Sequence, residues 1–291
     1  MKKVLCWLII LACWGSLDLI SAENEKSKPD GIEDYEATEA SQEAVTGCCD
    51  EENDELEPLP INYKENYILY TVSDSVDNRL DRELKFQISV QARLFKKRWA
   101  PIVFYTQKSF WQVFDDREQD NGSRNSHSFR EHNYNPGFYF NFNINKNLLM
   151  NLGYEHESNG EEDTTHDIYN PHPGRTINRS ANRLFVEGSI NFSETWDLYV
   201  KGITWIALSE DNSDIDDYYG SWEARIRYNY RKKNKTRGYV SIWARKKAIQ
   251  IDLVFRCYLN WYFQYWNGYG ESLIDYDVPI VKHGFGALMF F

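Results

Sequence analysis

Apolar and polar residues alternate with a period of two from about residue 66 to the end of the chain. The clearest examples are the segments 84–94, 138–145 and 222–231. Successive side chains of a β-strand point to opposite faces, so the pattern predicts strands with one apolar face and one polar face. Arg, Lys, Glu and Gln recur on the polar face of strand after strand. A water-soluble sandwich or barrel would turn the apolar faces inward and these polar faces outward.

About twelve strands follow from this pattern, which places the chain in the all-β class. Their predicted bounds are 66–73, 83–95, 101–113, 134–145, 148–158, 181–193, 195–209, 218–231, 236–246, 247–260, 261–270 and 278–291. Many of them are long enough to cross a bilayer when tilted. Long, alternating, aromatic-rich strands favour a transmembrane antiparallel β-barrel with apolar side chains toward lipid and charged side chains toward the lumen.

The lengths of the connections predict the orientation of the barrel. Short turns at 145–147 and 193–194 should be periplasmic, and the longer segments 114–133, 159–180 and 210–217 should be extracellular. An even number of strands then puts both termini in the periplasm. The last strand carries apolar residues at alternate positions up to a terminal aromatic, which resembles the C-terminal signal of outer-membrane barrels: Phe285, Ala287, Met289 and Phe291.

The N-terminal part of the chain has a different composition. Residues 1–22 are typical of a secretory signal, with a charged start, an apolar run and a cleavage site after Ala22. A lipoprotein signal processed at Cys13 is the alternative. Residues 23–59 hold 14 acidic and 2 basic residues, a net charge of −12, and are predicted to be a disordered periplasmic arm. The barrel domain is therefore 60–291, and no basic patch there suggests nucleic-acid binding.

Cysteine and histidine usage points to no disulfide framework and no standard zinc site. Cys48 and Cys49 are adjacent in the acidic arm, where a passive pair is favoured over a redox or metal-binding pair. The loop after Gly160 carries four residues of types that bind zinc: Asp163, His166, Asp167 and His172. Their spacing fits no standard site, so a solvated loop is the favoured interpretation.

Three polar residues fall on the apolar faces of the fifth and sixth strands. His156 and Ser158 continue the row of Met150, Leu152 and Tyr154, and Asn182 lies on the apolar face of the next strand. A hydrogen-bonding group that faces lipid is costly because lipid offers it no partner. Serine becomes a nucleophile when a histidine takes its proton, and a third polar group can fix the tautomer of that histidine. The alternative is that these are ordinary interfacial polar residues.

The segment 153–160, Gly-Tyr-Glu-His-Glu-Ser-Asn-Gly, resembles the active-site strand of the outer membrane phospholipase A family. Further segments that match this family occur in the same order along the chain, at 105–109, 129–134, 179–184 and 272–276. The resemblance covers roughly residues 60–291.

This resemblance implies a calcium-dependent enzyme of the Gram-negative outer membrane that hydrolyses acyl esters of glycerophospholipids and works as a homodimer. Ser158 would be the nucleophile, His156 the base and Asn182 the orienting residue, at the extracellular leaflet. Two other hypotheses remain open. One is a passive porin or structural barrel, and the other is a lipid A deacylase.

The calcium ligands of the family carry over less directly. Ser126 and Asp211 match two of them. The others fall in the loop after Gly160, where Glu161 or Arg175 would contribute a backbone carbonyl and Asn178 a side-chain oxygen. Gln107 is interpreted either as a contact in the dimer or as an ordinary lumen-facing glutamine.

Overall fold

The structure is a computed structural model of the chain, and it describes residues 62–74, 82–95, 97, 99–113, 129–160, 174–232 and 235–289. The predicted signal, acidic arm and zinc-type cluster, with Cys48 and Cys49, lie outside these residues, as does Phe291. In the described part of the chain, no helix is both long and apolar enough to span a bilayer.

The described residues form twelve antiparallel strands that close into one barrel, so the predicted fold class is confirmed. The strands are β1 (Asn66–Ser73), β2 (Arg82–Arg93), β3 (Ile102–Trp111), β4 (Phe129–Asn145), β5 (Leu148–Ser158), β6 (Ser180–Asn191), β7 (Trp196–Leu208), β8 (Trp222–Lys232), β9 (Lys235–Arg245), β10 (Ala248–Arg256), β11 (Asn260–Gly268) and β12 (Ile280–Met289). Each strand pairs with its neighbours in sequence, and β1 closes the ring on β12.

The two faces of the strands are those of an inverted barrel. The outer face carries exposed apolar side chains such as Leu152 and Val186, which are 49% and 45% exposed. The inner face buries charged ones, and Lys85 and Glu155 are each 2% exposed. This is the arrangement that strands need when their outer face meets lipid and their inner face meets a polar lumen.

One cluster of buried charges lies in the lumen beside β2, β4 and β12, and its members are paired with one another. Arg130 bonds Asp275 at 2.9 Å and Glu83 at 3.3 Å. Glu271 accepts from Lys85 at 2.8 Å and from Lys282 at 2.7 Å. An unpaired charge would be costly in this enclosed space, so these pairs connect the inner wall to the segment 269–279 that enters the barrel mouth.

Residues 62–65, which we call the strap, cross the lumen before β1 begins. Tyr63 stacks on Phe104 of β3, with ring centroids 4.2 Å apart. Glu65 pairs with Arg227 of β8 and accepts a hydrogen bond from Tyr239 of β9 at 3.3 Å. The strap therefore links strands on different sides of the barrel.

The connections differ at the two ends of the barrel. One end, the short-turn end, carries the connections 146–147, 192–195 and 257–259, and the other, the long-loop end, carries 159–179 and 209–221. Three predicted boundaries differ from the structure by four residues or more, and one of them is the end of β10 at Arg256, which was predicted at 260. Strand β4 begins at Phe129 and not at 134, because Arg130 and Glu131 are buried inward strand residues with polar partners. Strand β8 begins at Trp222 and not at 218, since a 3-10 turn (Glu210–Asn212) and a short helix, α1 (Ile215–Tyr219), occupy the preceding loop.

Candidate active site

Strands β5 and β6 place the three predicted site residues on the outer face at the long-loop end. In their antiparallel register His156 lies opposite Asn182, and Ser158 lies opposite Ser180. The neighbouring inward residues Glu155 and Arg183 are buried in the lumen, so His156 and Asn182 face outward. All three site residues are partly buried rather than fully exposed.

His156 and Asn182 are in direct contact. Nδ1 of His156 lies 3.0 Å from Oδ1 of Asn182, within hydrogen-bond distance. The same oxygen accepts a hydrogen bond from the hydroxyl of Tyr154 at 2.6 Å. Tyr154 precedes His156 by two residues and therefore shares its face of the strand. This contact places the ring of His156 against a carbonyl oxygen, which favours the tautomer with the proton on Nδ1.

Ser158 follows His156 on the same face of β5 and lies opposite Tyr134 of β4. Among the described residues, the structure records no hydrogen bond between the Ser158 hydroxyl and the His156 ring. The two side chains are one outward position apart, about 7 Å between Cα atoms. Hydrogen bonds of a catalytic site often shorten only when substrate binds. The structure thus brings His156 and Asn182 together and leaves Ser158 beside them.

Ion pairs on the inner face hold β5 and β6 together beneath the site. Arg183 bonds Glu155 at 3.0 Å and Glu157 at 2.6 Å, and Lys201 of β7 bonds Glu155 at 2.9 Å. Glu155 and Glu157 alternate with His156 and Ser158 along β5, so a slip in register would break these pairs and turn the site inward. The inner ion pairs therefore fix the register that aligns His156 with Asn182.

The loop ends beside the site are tied down by side chains. Asn159 donates to the carbonyl of Ile177 at 2.6 Å and accepts from the backbone N–H of Arg179 at 3.0 Å. Asn212 accepts from the backbone N–H of Ser180 at 3.1 Å and donates to its carbonyl at 3.0 Å. These bonds fix the start of β6 and bring the loop that follows β7 next to the site.

The predicted calcium ligands are only partly described. Ser126 and Glu161 lie outside the described residues. Asn178 and Asp211 lie at the same rim, since Asn212 joins the loop of Asp211 to Ser180. Their amide and carboxylate oxygens are donors of the type that calcium uses. In the part of the chain that the structure covers, no group of three His, Cys, Asp or Glu side chains could hold a metal.

Arg175 differs from the other predicted ligands because its side chain is cationic. Its guanidinium bonds Asp277 at 3.1 Å, the carbonyl of Asp211 at 3.1 Å and the hydroxyl of Tyr276 at 3.3 Å. The hydrogen bond with Tyr276 and the charge of Asp277 raise the pKa of Arg175. Its side chain is therefore an anchor for the loop, and a role in metal binding is left to its backbone carbonyl.

A second row of polar residues lies on the outer face of β3 and β4. Tyr105 donates to Gln107 at 3.0 Å, and Gln107 donates to Ser109 at 3.2 Å. Ser109 is in turn hydrogen-bonded to His132 of β4, at 2.8 Å. Gln107 thus faces outward, and its interpretation as a lumen-facing glutamine was wrong.

Two features of the site were not found from the sequence. The hydrogen bond from Tyr154 to Asn182 was not predicted, although the alternation pattern places the Tyr154 hydroxyl on the same face of the strand as His156. The Ser109–His132 pair was missed because His132 was assigned to a loop. Both contacts depend on the register between strands, which the alternation pattern does not contain.

Comparison with known proteins places this barrel among phospholipases. A family model described as phospholipase A1 matches residues 51–289. Phospholipase A1 of Escherichia coli (strain K12) is 28% identical over 256 residues, which cover 78% of this chain and 80% of the relative.

Two solved structures have the same fold. A Salmonella typhi outer membrane phospholipase dimer with bound calcium superposes with a TM-score of 0.64 at 26% identity, covering 79% of this chain and 92% of the other. A variant of Escherichia coli outer membrane phospholipase A, in which an active-site asparagine is replaced by alanine, gives a TM-score of 0.65 at 25% identity. That match covers 87% of this chain and 98% of the other.

Proposed function

The chain belongs to the phospholipase A1 family of ester hydrolases, and from that premise we propose that it hydrolyses acyl ester bonds of glycerophospholipids with a Ser158–His156–Asn182 triad on its outer wall. The observation that carries this proposal is the 3.0 Å contact between His156 Nδ1 and Asn182 Oδ1 on the outer face, with Ser158 at the next outward position. The active-site asparagine of the Escherichia coli relative supports the part given to Asn182.

The reaction begins with an attack on the ester. Asn182 Oδ1 accepts a hydrogen bond from the Nδ1–H group of His156, so the lone pair of Nε2 is free to act as a base. Nε2 removes the hydroxyl proton of Ser158, and the serine oxygen bonds to the acyl carbonyl carbon of the lipid. The proton then passes from His156 to the departing glycerol oxygen as the ester bond breaks. The products of this half are a lysophospholipid and an acyl-serine.

Water completes the cycle in the same site. His156 Nε2 takes a proton from the attacking water, whose oxygen bonds to the acyl carbonyl carbon. The bond between Ser158 and the acyl group breaks, and the serine oxygen recovers its proton from His156. A fatty acid leaves, and the three side chains return to their starting states.

We propose calcium as the cofactor, with Asn178 and Asp211 among its ligands and Ser126 and the backbone near Glu161 or Arg175 completing the set. The donors that the structure describes are hard oxygens, which suit this cation. When bound, calcium would supply positive charge that stabilises the negative charge developing on the substrate oxygen. The calcium in the Salmonella typhi structure supports this proposal.

The outward orientation of the triad fits a substrate that lies in the membrane. An outward-facing triad meets lipid that is already in the membrane, so the substrate does not need to enter water. We place the protein in the outer membrane, with both termini periplasmic and the long-loop end at the extracellular leaflet. A single curved wall offers little concavity, and we propose that a second copy packed beside it completes the substrate cleft.

One assay separates hydrolysis from passive transport. The purified protein is mixed with a defined phosphatidylcholine in detergent micelles, with calcium or with chelator, and fatty acid and lysophospholipid are quantified. The same protein in vesicles is tested for leakage of a small dye. Calcium-dependent release of fatty acid supports the proposal. Dye leakage without any hydrolysis would overturn it in favour of a porin.

A further inference from the structure

Asn182 Oδ1 accepts two hydrogen bonds, and only one of them comes from the triad. His156 Nδ1 is 3.0 Å away and the Tyr154 hydroxyl is 2.6 Å away. The side chain of Tyr154 packs against Phe138 of β4, its cross-strand partner, with ring centroids 5.9 Å apart. This packing holds the phenol ring beside the strand pair, so that its hydroxyl reaches Asn182.

The orientation of the Asn182 amide decides which nitrogen of His156 carries the proton. With Oδ1 toward His156, Nδ1 holds the proton and Nε2 is a free base. A rotated amide would present its NH2 group to Nδ1 instead. Nδ1 would then accept, Nε2 would carry the proton, and His156 could not take a proton from Ser158. An aspartate in the same place has no such ambiguity, since both of its oxygens accept.

Tyr154 discriminates between these two amide orientations. A phenol hydroxyl is a strong donor, and its proton has a partner only when Oδ1 faces it. The 2.6 Å separation lies in the range of O–H···O bonds and is shorter than the usual N–H···O range. In a face that meets lipid, a hydroxyl proton without an acceptor is costly. The bond from Tyr154 therefore favours the orientation that His156 needs.

We propose that Tyr154 is a positioning residue for the reaction. Its hydroxyl holds the Asn182 amide with Oδ1 toward His156 and so selects the imidazole tautomer with a basic Nε2. The inference rests on the proposed function for its catalytic consequence. The tautomer expected for His156 is the same whether or not the substrate is a phospholipid.

The kinetic test is a double-mutant cycle. Tyr154→Phe removes only the hydroxyl and should lower kcat about ten-fold, the loss of one partly buried hydrogen bond, with KM unchanged. In an Asn182→Asp background the same change should alter kcat less than about two-fold, because the carboxylate needs no orientation. Tyr228→Phe, on the outer face of β8, is the matched control and should have no effect. Equal losses from Tyr154→Phe in both backgrounds, or no loss in the Asn182 protein, would overturn the proposal.

A spectroscopic test does not depend on turnover. ¹⁵N-labelled histidine in the protein in detergent reports the tautomer of His156, which is assigned by its loss in His156→Gln. The protein with Tyr154 should show the Nδ1-protonated form, and Tyr154→Phe should shift it toward a mixture with the Nε2-protonated form. An unchanged tautomer would overturn the inference. If Tyr154→Phe shifts the tautomer but the unmodified protein hydrolyses no lipid, only the proposed function is overturned.

Discussion

Ser109 Oγ lies 2.8 Å from Nδ1 of His132 on the outer wall of β3 and β4. Together with Tyr105 and Gln107 this pair forms a continuous row of hydrogen-bonding groups on an outer wall whose exposed side chains are mostly apolar. Lipid tails satisfy no polar group, whereas a second protein surface can do so. The row therefore marks the part of the wall where a second copy is expected to pack.

Replacement of Gln107 tests this dimer contact. Gln107→Ala should weaken the association of two copies about three- to ten-fold, the effect of one or two hydrogen bonds within a membrane. Cross-linking in detergent, titrated with protein, measures the change. Gln91→Ala is the control because Gln91 faces inward and bonds Tyr139. Unaltered dimer formation by the Gln107 variant, or an equal effect of both variants, would argue against this interface.

Replacement of the proposed nucleophile should abolish hydrolysis. Ser158→Ala removes the attacking oxygen and is expected to lower kcat by about 10⁴-fold or more, with the barrel intact. The matched control is Ser180→Ala, since Ser180 lies directly opposite Ser158 and has no part in the mechanism. Fatty acid release measures activity, and migration of unheated samples on gels reports folding. Near-normal turnover by the Ser158 variant would exclude the serine mechanism.

The orienting residue should matter less than the base. Asn182→Ala leaves the His156 imidazole in place. Its activity is therefore expected to be at least about ten-fold higher than that of His156→Ala. Initial rates of both variants on the same micelles decide this. An equal and complete loss in both folded variants would mean that Asn182 has a different part in the reaction.

Calcium removal should stop hydrolysis, and excess calcium should restore it. Asp211→Asn removes the negative charge of one proposed ligand and replaces one of its two carboxylate oxygens with an NH2 group, so about ten-fold more calcium should be needed for half-maximal activity. Asp216→Asn, in the same loop but outside the proposed ligand set, is the control. The measurement is hydrolysis titrated with calcium buffers. A full rate in chelator would contradict the cofactor assignment while leaving the triad untouched.

The strap gives a pH dependence of stability. Burial raises the pKa of Glu65, but the attraction of Arg227 and Arg225 outweighs it and holds the pKa at about 2, below the ordinary value of 4.5. Because the folded-state pKa is the lower one, this carboxylate contributes its full stability above pH 4.5 and loses it as the pH falls toward 2. The shift corresponds to at most about 3 kcal/mol.

Thermal unfolding in detergent between pH 2 and pH 6 measures this effect. The Glu65→Gln variant should have a lower Tm than the unmodified chain at pH 6, and the difference should shrink as the pH falls toward 2. Glu194→Gln is the control, since Glu194 is exposed and lies 3.8 Å from Arg231. A Tm difference that stays constant across this range would show that the Glu65 charge does not stabilise the fold.

Elements with clean alternation could be predicted from the sequence. The bounds of β5 were predicted to the residue, since Leu148, Met150, Leu152 and Tyr154 form an apolar row with a period of two. The predicted outward position of His156 and Asn182 followed from the same pattern. The start of β4 could not be found in this way, because Arg130 and Glu131 are polar residues whose partners lie in the distant segment 269–279.

Contacts between strands required the structure. The pairing of His156 with Asn182 depends on the loop that joins β5 and β6, and alternation alone fixes the face of a residue but not its height along the barrel. Asn159 holds the last residues of that loop and Asn212 holds the start of β6, both through backbone atoms, which no side-chain pattern reports. For the same reason the calcium ligands were assigned only by resemblance.

The strap also has a consequence for how the barrel assembles. The strap contacts β3, β4, β8 and β9, so it cannot adopt its final position until most of the barrel strands have paired. The strand that follows it, β1, pairs with the last strand, β12. Contacts between residues far apart in sequence form late, because a long loop must close first. The residues at the beginning of the barrel should therefore be among the last to become fixed, when the final seam closes around them.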